Sequence, residues 1–120
     1  MGIEQFSNTV KVEWVEGSPR NMRLLEDVDF TDSKGKMWRA YKDKIINGAS
    51  IPRILWTSIG SPYVGKYRRA SVLHDVHCET KEHPYREIHY MFYEAMRADG
   101  VRKSKAKVMY AAVMEGGPKW

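Results

Sequence analysis

His74 and Asp75 are neighbours in one predicted helix, and His89 falls on the apolar face of the next helical pattern. A histidine beside a carboxylate, faced by a polar residue from another helix, can hold a metal, activate a water or satisfy a buried imidazole. In a hydrolase His74 would activate water, and Asp75 would bind a metal or orient the ring. Arg68 and Arg69 would then receive an anionic substrate. The alternative is a buried polar cluster in which Asp75 caps or pairs with a nearby arginine.

Cys78 adds a second chemistry, because it stands one helical turn after His74. His74, Cys78 and His89 would then converge on a soft transition metal such as zinc. Water or Asp75 would complete the tetrahedron. The spacing matches no established zinc motif, and a small buried residue is the alternative for Cys78. Ser50 is a candidate nucleophile with His74 as its base, but it lacks the Gly-x-Ser-x-Gly elbow, so helix capping is favoured.

The surrounding pattern predicts an α+β fold, with a small N-terminal antiparallel β element followed by a cluster of three or four helices. Alternating apolar residues predict strands within about 9–15 and 22–41, with a turn at 32–35. Apolar stripes predict helices at about 66–79, 84–100 and 104–114, and a short helix from Pro52 in which Ile54, Leu55 and Trp56 pack inward. Most of the tryptophans are expected in the core. We expect one domain over 1–120, β-rich to about 45 and helical from about 50.

Composition places the chain among globular proteins, with 42% hydrophobic and 29% charged residues. No apolar stretch approaches the roughly 18 residues needed to cross a bilayer, which predicts no transmembrane segment. A single cysteine and the absence of a signal pattern predict synthesis in a cytoplasm. The net charge of +5 favours encounters with an acidic protein, anionic lipid or nucleic acid. The local basic cluster at 102–107 is also typical of a solvated helix face.

Four segments occur in an order that resembles the uncharacterised phage and prophage family known as domain-of-unknown-function family 1353. They are Asn47-Gly48-Ala49-Ser50-Ile51-Pro52-Arg53, Gly65-Lys66-Tyr67-Arg68-Arg69-Ala70, Leu73-His74-Asp75 and Phe92-Tyr93-Glu94-Ala95-Met96-Arg97-Ala98. The resemblance implies a phage or prophage protein, made in the host cytoplasm and retained there or built into the virion. It carries no settled activity.

The histidine-aspartate pair is also similar to the active-site helix pair of phospholipases A2. That similarity implies His74 as the base, Asp75 as a calcium ligand and His89 at the orienting position. His89 stands where the phage family usually has an acid, and Asn47 stands where its Asp-Gly-Ala-Ser-Ile-Pro form has one. Two close histidines lower each other's pKa. Calcium also needs six or more oxygens, of which only one or two can be named.

The favoured hypothesis is therefore a non-enzymatic virion, assembly or host-protein-binding factor whose main partner is a phage or host protein. The alternative is a metal-assisted hydrolase, phospholipase-like or directed at the cell envelope, that uses His74 and Asp75 with calcium or zinc.

Overall fold

A computed structural model describes residues 5–6, 10–17, 21–48, 50–52, 54–55 and 65–120. Six short strands come first, and three helices follow. The strands are β1 Gln5–Phe6, β2 Val12–Trp14, β3 Met22–Leu24, β4 Val28–Thr31, β5 Met37–Ala40 and β6 Ile45–Ile46. The helices are α1 Arg68–Thr80, which follows a 3-10 turn at Gly65–Tyr67, α2 Tyr85–Ala98 and α3 Lys103–Gly116. The predicted α+β class is confirmed.

The strands form two three-stranded antiparallel sheets, ordered β1-β4-β5 and β2-β3-β6. Val28 and Phe30 alternate with half-buried polar residues in β4, and both are fully buried, as a period of two predicts. The turn between β4 and β5 is closed by Asp32, whose Oδ1 accepts the N–H groups of Lys34 and Lys36 at 2.9 Å each. Gly35 has a φ of 81°, which favours glycine at that position of the turn.

The helices begin and end close to their predicted positions. Helix α1 is capped by Lys81, whose φ of 55° is left-handed and whose N–H donates to the His77 carbonyl. Pro84 stands just before the first turn of α2 rather than inside it. Helix α1 packs against β5 and β6 and against α2, and α3 packs against α2. This arrangement leaves α1 between the sheets and the other helices, so Ala70 through Cys78 are all buried.

Some expectations about the core are wrong. Ile54 is 77% exposed although it was expected to pack inward, whereas its neighbour Leu55 is buried. Of the three tryptophans that the structure describes, only Trp38 is in the core; Trp14 is 69% and Trp120 is 37% exposed. Trp56 lies outside the described residues. A periodic pattern gives the two faces of an element but not which face the rest of the fold covers.

In the described part of the chain, no helix combines the length and the apolar character needed to cross a membrane.

Candidate functional site

The two imidazoles of the sequence prediction lie in direct contact. His74 Nε2 is 2.8 Å from His89 Nδ1, and the ring centroids are 4.9 Å apart. Ser50 Oγ lies 2.9 Å from the other nitrogen of His74, Nδ1. At the far end, His89 Nε2 lies 2.9 Å from the carbonyl oxygen of Pro118. These four groups form one continuous hydrogen-bonded row, which we call the histidine chain.

The fold positions the histidine chain by bringing four segments together. Helix α1 supplies His74, helix α2 supplies His89, the segment after β6 supplies Ser50, and the segment after α3 supplies Pro118. Both imidazoles have no exposed surface, and Ser50 is 4% exposed. The His74 ring also packs on Phe92, with centroids 4.6 Å apart. The histidine chain is therefore sealed by the packing of α1 on α2.

Hydrogen-bond chemistry fixes the direction of the histidine chain when both rings are neutral. A carbonyl oxygen can only accept, so His89 must donate its Nε2–H to Pro118. His89 Nδ1 is then an acceptor, and His74 must donate its Nε2–H to it. His74 Nδ1 in turn accepts the hydroxyl proton of Ser50. Every proton in the row points from Ser50 towards Pro118.

The surroundings keep both rings neutral. Burial, and then the neighbouring His89 and His77, hold the pKa of His74 well below its usual range. Burial also lowers the pKa of His89, although the hydrogen bond to Pro118 acts in the opposite direction. Burial and the neighbouring His83 lower the pKa of His77 to about 4, so a third neutral imidazole lies on the same helix.

Cys78 lies beside the histidine chain, with Sγ 3.6 Å from His74 Nε2 and 3.8 Å from His74 Nδ1. Cys78 is 5% exposed. Burial and the nearby Asp75 raise the pKa of its thiol to about 12, so at neutral pH it is protonated and a poor nucleophile. His74, Cys78 and His89 each offer one ligand atom, and these atoms lie within 4.8 Å of one another. The predicted three-residue cluster is thus brought together.

Asp75 has a different place from the one proposed for a base-orienting or metal-binding carboxylate. Its Oδ2 accepts the backbone N–H of Asn47 at 2.9 Å, and its Oδ1 accepts the backbone N–H of Ser50 at 3.2 Å. The carboxylate therefore fixes the segment after β6 to α1, and it presents Ser50 to His74 through the backbone. Asp75 is not part of the three-residue cluster among the described side chains.

Replacing Asp75 with asparagine is expected to destabilise the fold by about 2 kcal/mol. An amide oxygen can accept one backbone N–H, but the amide nitrogen would face the other as a second donor, and charged hydrogen bonds are the stronger ones. Urea unfolding measures the loss, and amide hydrogen exchange at Asn47 and Ser50 locates it. Unchanged protection of both amides would show that Asp75 does not hold this segment.

The two arginines expected to receive a substrate lie apart from the histidine chain. Arg69 pairs with Asp99, its Nε 3.1 Å from Oδ2. Arg68 is exposed and lines a cavity of about 100 Å³ with Val72 and apolar residues of β2, β3 and β6. Their predicted role in binding an anionic substrate stays a prediction.

A cluster that the sequence reasoning missed lies on the outer surface of α2 and α3. Tyr90, Tyr93 and Tyr110 contact one another, with ring centroids 5.7 to 5.9 Å apart. Tyr90 is 46% exposed, and the other two are half-buried. On α2 these tyrosines continue a stripe with Arg86 and Arg97, spaced four, three and four residues apart. That spacing was available in the sequence as the polar counterpart of the apolar stripe.

Comparison with known proteins shows which family the chain belongs to. A family described as "Protein of unknown function (DUF1353)" matches residues 22–113, from β3 into α3. Two proteins of Sinorhizobium fredii (strain NBRC 101917 / NGR234) are similar to the chain. The uncharacterised protein y4jT is 41% identical over 116 residues, which are 96% of this chain and 34% of that protein. The uncharacterised protein y4iH is 37% identical over 115 residues, 96% of this chain and 48% of that protein.

This chain therefore spans about a third and about half of the lengths of these two curated relatives. No solved structure matches it.

Proposed function

We propose that this chain, which belongs to the DUF1353 family of proteins of unknown function, is a non-enzymatic protein-binding domain. Its binding surface is the tyrosine face, made of Tyr90, Tyr93 and Tyr110 and flanked by Arg86 and Arg97. The observation that carries the proposal is the set of three mutual tyrosine contacts on a solvent-exposed surface. Tyrosine and arginine are the residues that protein interfaces enrich, because each buries a large area and keeps a polar end.

The charge around the tyrosine face favours an acidic partner. Arg86 and Arg97 are exposed at the two ends of the α2 stripe. Lys103 and Lys107 are exposed on α3 and precede Tyr110 by seven and three residues, on the same side of that helix. Complementary charge of this kind steers encounter and fixes orientation. A protein with an acidic patch therefore suits the surface.

The surroundings of the histidine chain support a structural role over a hydrolytic one. His74 has no exposed surface and packs on Phe92, and its acceptor nitrogen is enclosed by Ser50 and Cys78. The carboxylate that would orient a base or hold a metal is occupied by backbone N–H groups. In this proposal the histidine chain is a buried hydrogen-bond network that holds α1, α2 and the segment around Pro118 together beneath the tyrosine face.

The phage or prophage setting implied by the sequence resemblance suits such a domain. A virion component, an assembly factor or a protein that binds a host protein each needs a rigid surface rather than an active site. The relatives' greater length leaves room for further segments that would connect this domain to its assembly.

Site-specific photo-crosslinking tests the proposal in lysogenic or infected cells. A photoreactive phenylalanine analogue at position 90 is expected to form a discrete adduct with an acidic protein. The matched control is the same analogue at Tyr41, which is 56% exposed and lies just after β5. The adduct should disappear when Arg86 and Arg97 are both changed to glutamate. Equal yields at both positions, or an adduct only with nucleic acid or lipid, would overturn the proposal.

A panel of hydrolysis assays tests whether the protein is non-enzymatic, as the same proposal requires. The wild-type protein is expected to give no turnover of lipid, ester or peptidoglycan substrates. Turnover that is lost in a folded Ser50→Ala variant would contradict the proposal and establish Ser50 and His74 as a nucleophile and its base.

A further inference from the structure

We propose that His74 Nε2, His89 Nδ1 and Cys78 Sγ form a binding site for a single Zn²⁺ ion, which takes the place of the proton that the two imidazoles share. This site goes beyond the proposed binding function, since it concerns the buried interior and not the tyrosine face. His74 and Cys78 are separated by one turn of α1, and His89 faces them from α2. Two nitrogens and one sulfur are ligands that zinc accepts in proteins.

The three ligand atoms are near enough for one tetrahedral ion after small side-chain movements. Zinc bonds of about 2.0 to 2.1 Å to nitrogen and about 2.3 Å to sulfur place tetrahedral ligands about 3.6 Å apart for nitrogen and sulfur, and about 3.3 Å apart for two nitrogens. The His74 Nε2 to Cys78 Sγ distance is 3.6 Å. The distance between His74 Nε2 and His89 Nδ1 is 2.8 Å. The two nitrogens must separate by about half an ångström. Cys78 Sγ is almost equally far from His74 Nε2 and Nδ1, so the His74 ring must also turn to aim Nε2 at the ion. His89 Nδ1 and Cys78 Sγ lie within 4.8 Å of each other and must approach to about 3.6 Å.

The outer nitrogens of both rings already have hydrogen-bond partners, and that of His89 is of the kind usual for a zinc-bound histidine. A ligating histidine commonly donates its second N–H to a carbonyl, carboxylate or water, which fixes the ring and raises its basicity. His89 donates its Nε2–H to the Pro118 carbonyl and leaves Nδ1 for the ion. His74 Nδ1 is 2.9 Å from Ser50 Oγ, which can accept as well as donate.

These contacts determine how many protons the protein releases when zinc binds. Without metal, Ser50 donates to His74 Nδ1, and His74 donates its Nε2–H to His89. With zinc, the His74 proton moves from Nε2 to Nδ1 and is donated to Ser50 Oγ, whose own hydroxyl proton turns away. Cys78 loses its thiol proton and binds as a thiolate. The balance is one Zn²⁺ bound and one proton released, with no change of oxidation state.

The fourth position of the ion falls to a water molecule, since Asp75 is engaged by the segment after β6. The ligand set is too soft and too poor in oxygen for calcium or magnesium. The two histidines are fully buried and Cys78 is 5% exposed, which favours an ion that stabilises the fold.

Cobalt substitution followed by zinc competition tests the site in the reduced, metal-free protein. One Co²⁺ per chain is expected, with the near-ultraviolet charge-transfer band of a cobalt thiolate and the strong visible bands of a tetrahedral ion. Cys78→Ser should abolish the thiolate band and weaken zinc binding by about 100-fold or more, since losing an outer partner alone typically costs about 10- to 100-fold. The matched control is His83→Gln, which removes a half-buried imidazole outside the cluster and should change neither.

A thiolate band that survives in Cys78→Ser, or is lost equally in His83→Gln, would overturn the site. X-ray absorption of the zinc-loaded wild type gives the answer without any variant. It should show one sulfur at about 2.3 Å and two imidazole nitrogens at about 2.0 Å. Absence of bound zinc, or a zinc shell without sulfur, would also overturn it.

Discussion

Replacing His74 with alanine is expected to lower the free energy of unfolding by about 3 to 5 kcal/mol. The substitution removes a ring with no exposed surface and leaves a cavity against Phe92. It also leaves the Ser50 hydroxyl and His89 Nδ1 buried without the partner each has in the histidine chain. Cavity formation and unpaired polar groups act in the same direction, so this variant should be among the most destabilised in the protein.

Urea denaturation of the wild type and of His74→Ala measures this effect. His83→Ala is the matched control, because it removes a half-buried imidazole and should cost about 1 kcal/mol or less. Similar losses in the two variants would mean that the histidine chain contributes nothing particular to stability.

Lowering the pH from 7 to 5 is expected to destabilise the fold by about 4 kcal/mol. In the unfolded chain, histidine takes up a proton near pH 6.5. In the fold, burial and neighbouring histidines lower the pKa of His74 and His77, the latter to about 4. The unfolded state therefore binds more protons in this range, and stability falls as the pH falls below about 6.5. His77 accounts for about half of the loss, and the loss is complete only below the folded pKa values.

Unfolding free energies measured at several pH values test this slope. His77→Gln should be about 2 kcal/mol less sensitive to the change from pH 7 to pH 5, because one of the rings that the fold keeps neutral is gone. Stability that stays constant between pH 7 and pH 5 would mean that the rings are not held neutral by the fold.

The sequence predicted the strands and helices well where a clear repeat of apolar residues is followed by a residue that ends the element. Val28 and Phe30 alternate up to the turn that ends at Gly35, and α1 and α2 end within about two residues of their predicted positions. Strand β1, Gln5–Phe6, was missed because two residues are too few to show an alternation of apolar and polar side chains. It is defined by its pairing with β4.

The candidate site was predicted in its residue types and only in part in its geometry. His74 and His89 were expected to converge, and they do. Asp75 was expected to serve the same site, although adjacent residues on a helix point about 100° apart, so it faces the segment after β6 instead. The Pro118 carbonyl was not foreseen, since a backbone oxygen leaves no mark in the sequence. The contact between Ser50 and His74 depends on how that segment returns to α1, which only the tertiary fold determines.

The most direct test of the account is the protonation and tautomeric state of the two imidazoles, read from ¹H–¹⁵N correlation spectra of the histidine side chains at neutral pH in the metal-free protein. We predict that His74 and His89 are both neutral and both protonated on Nε2, with a ¹⁵N–¹⁵N coupling across the hydrogen bond between His74 Nε2 and His89 Nδ1. An imidazolium at either position, rapid exchange between tautomers, or no coupling would contradict a buried row of hydrogen bonds that runs in one direction from Ser50 to Pro118.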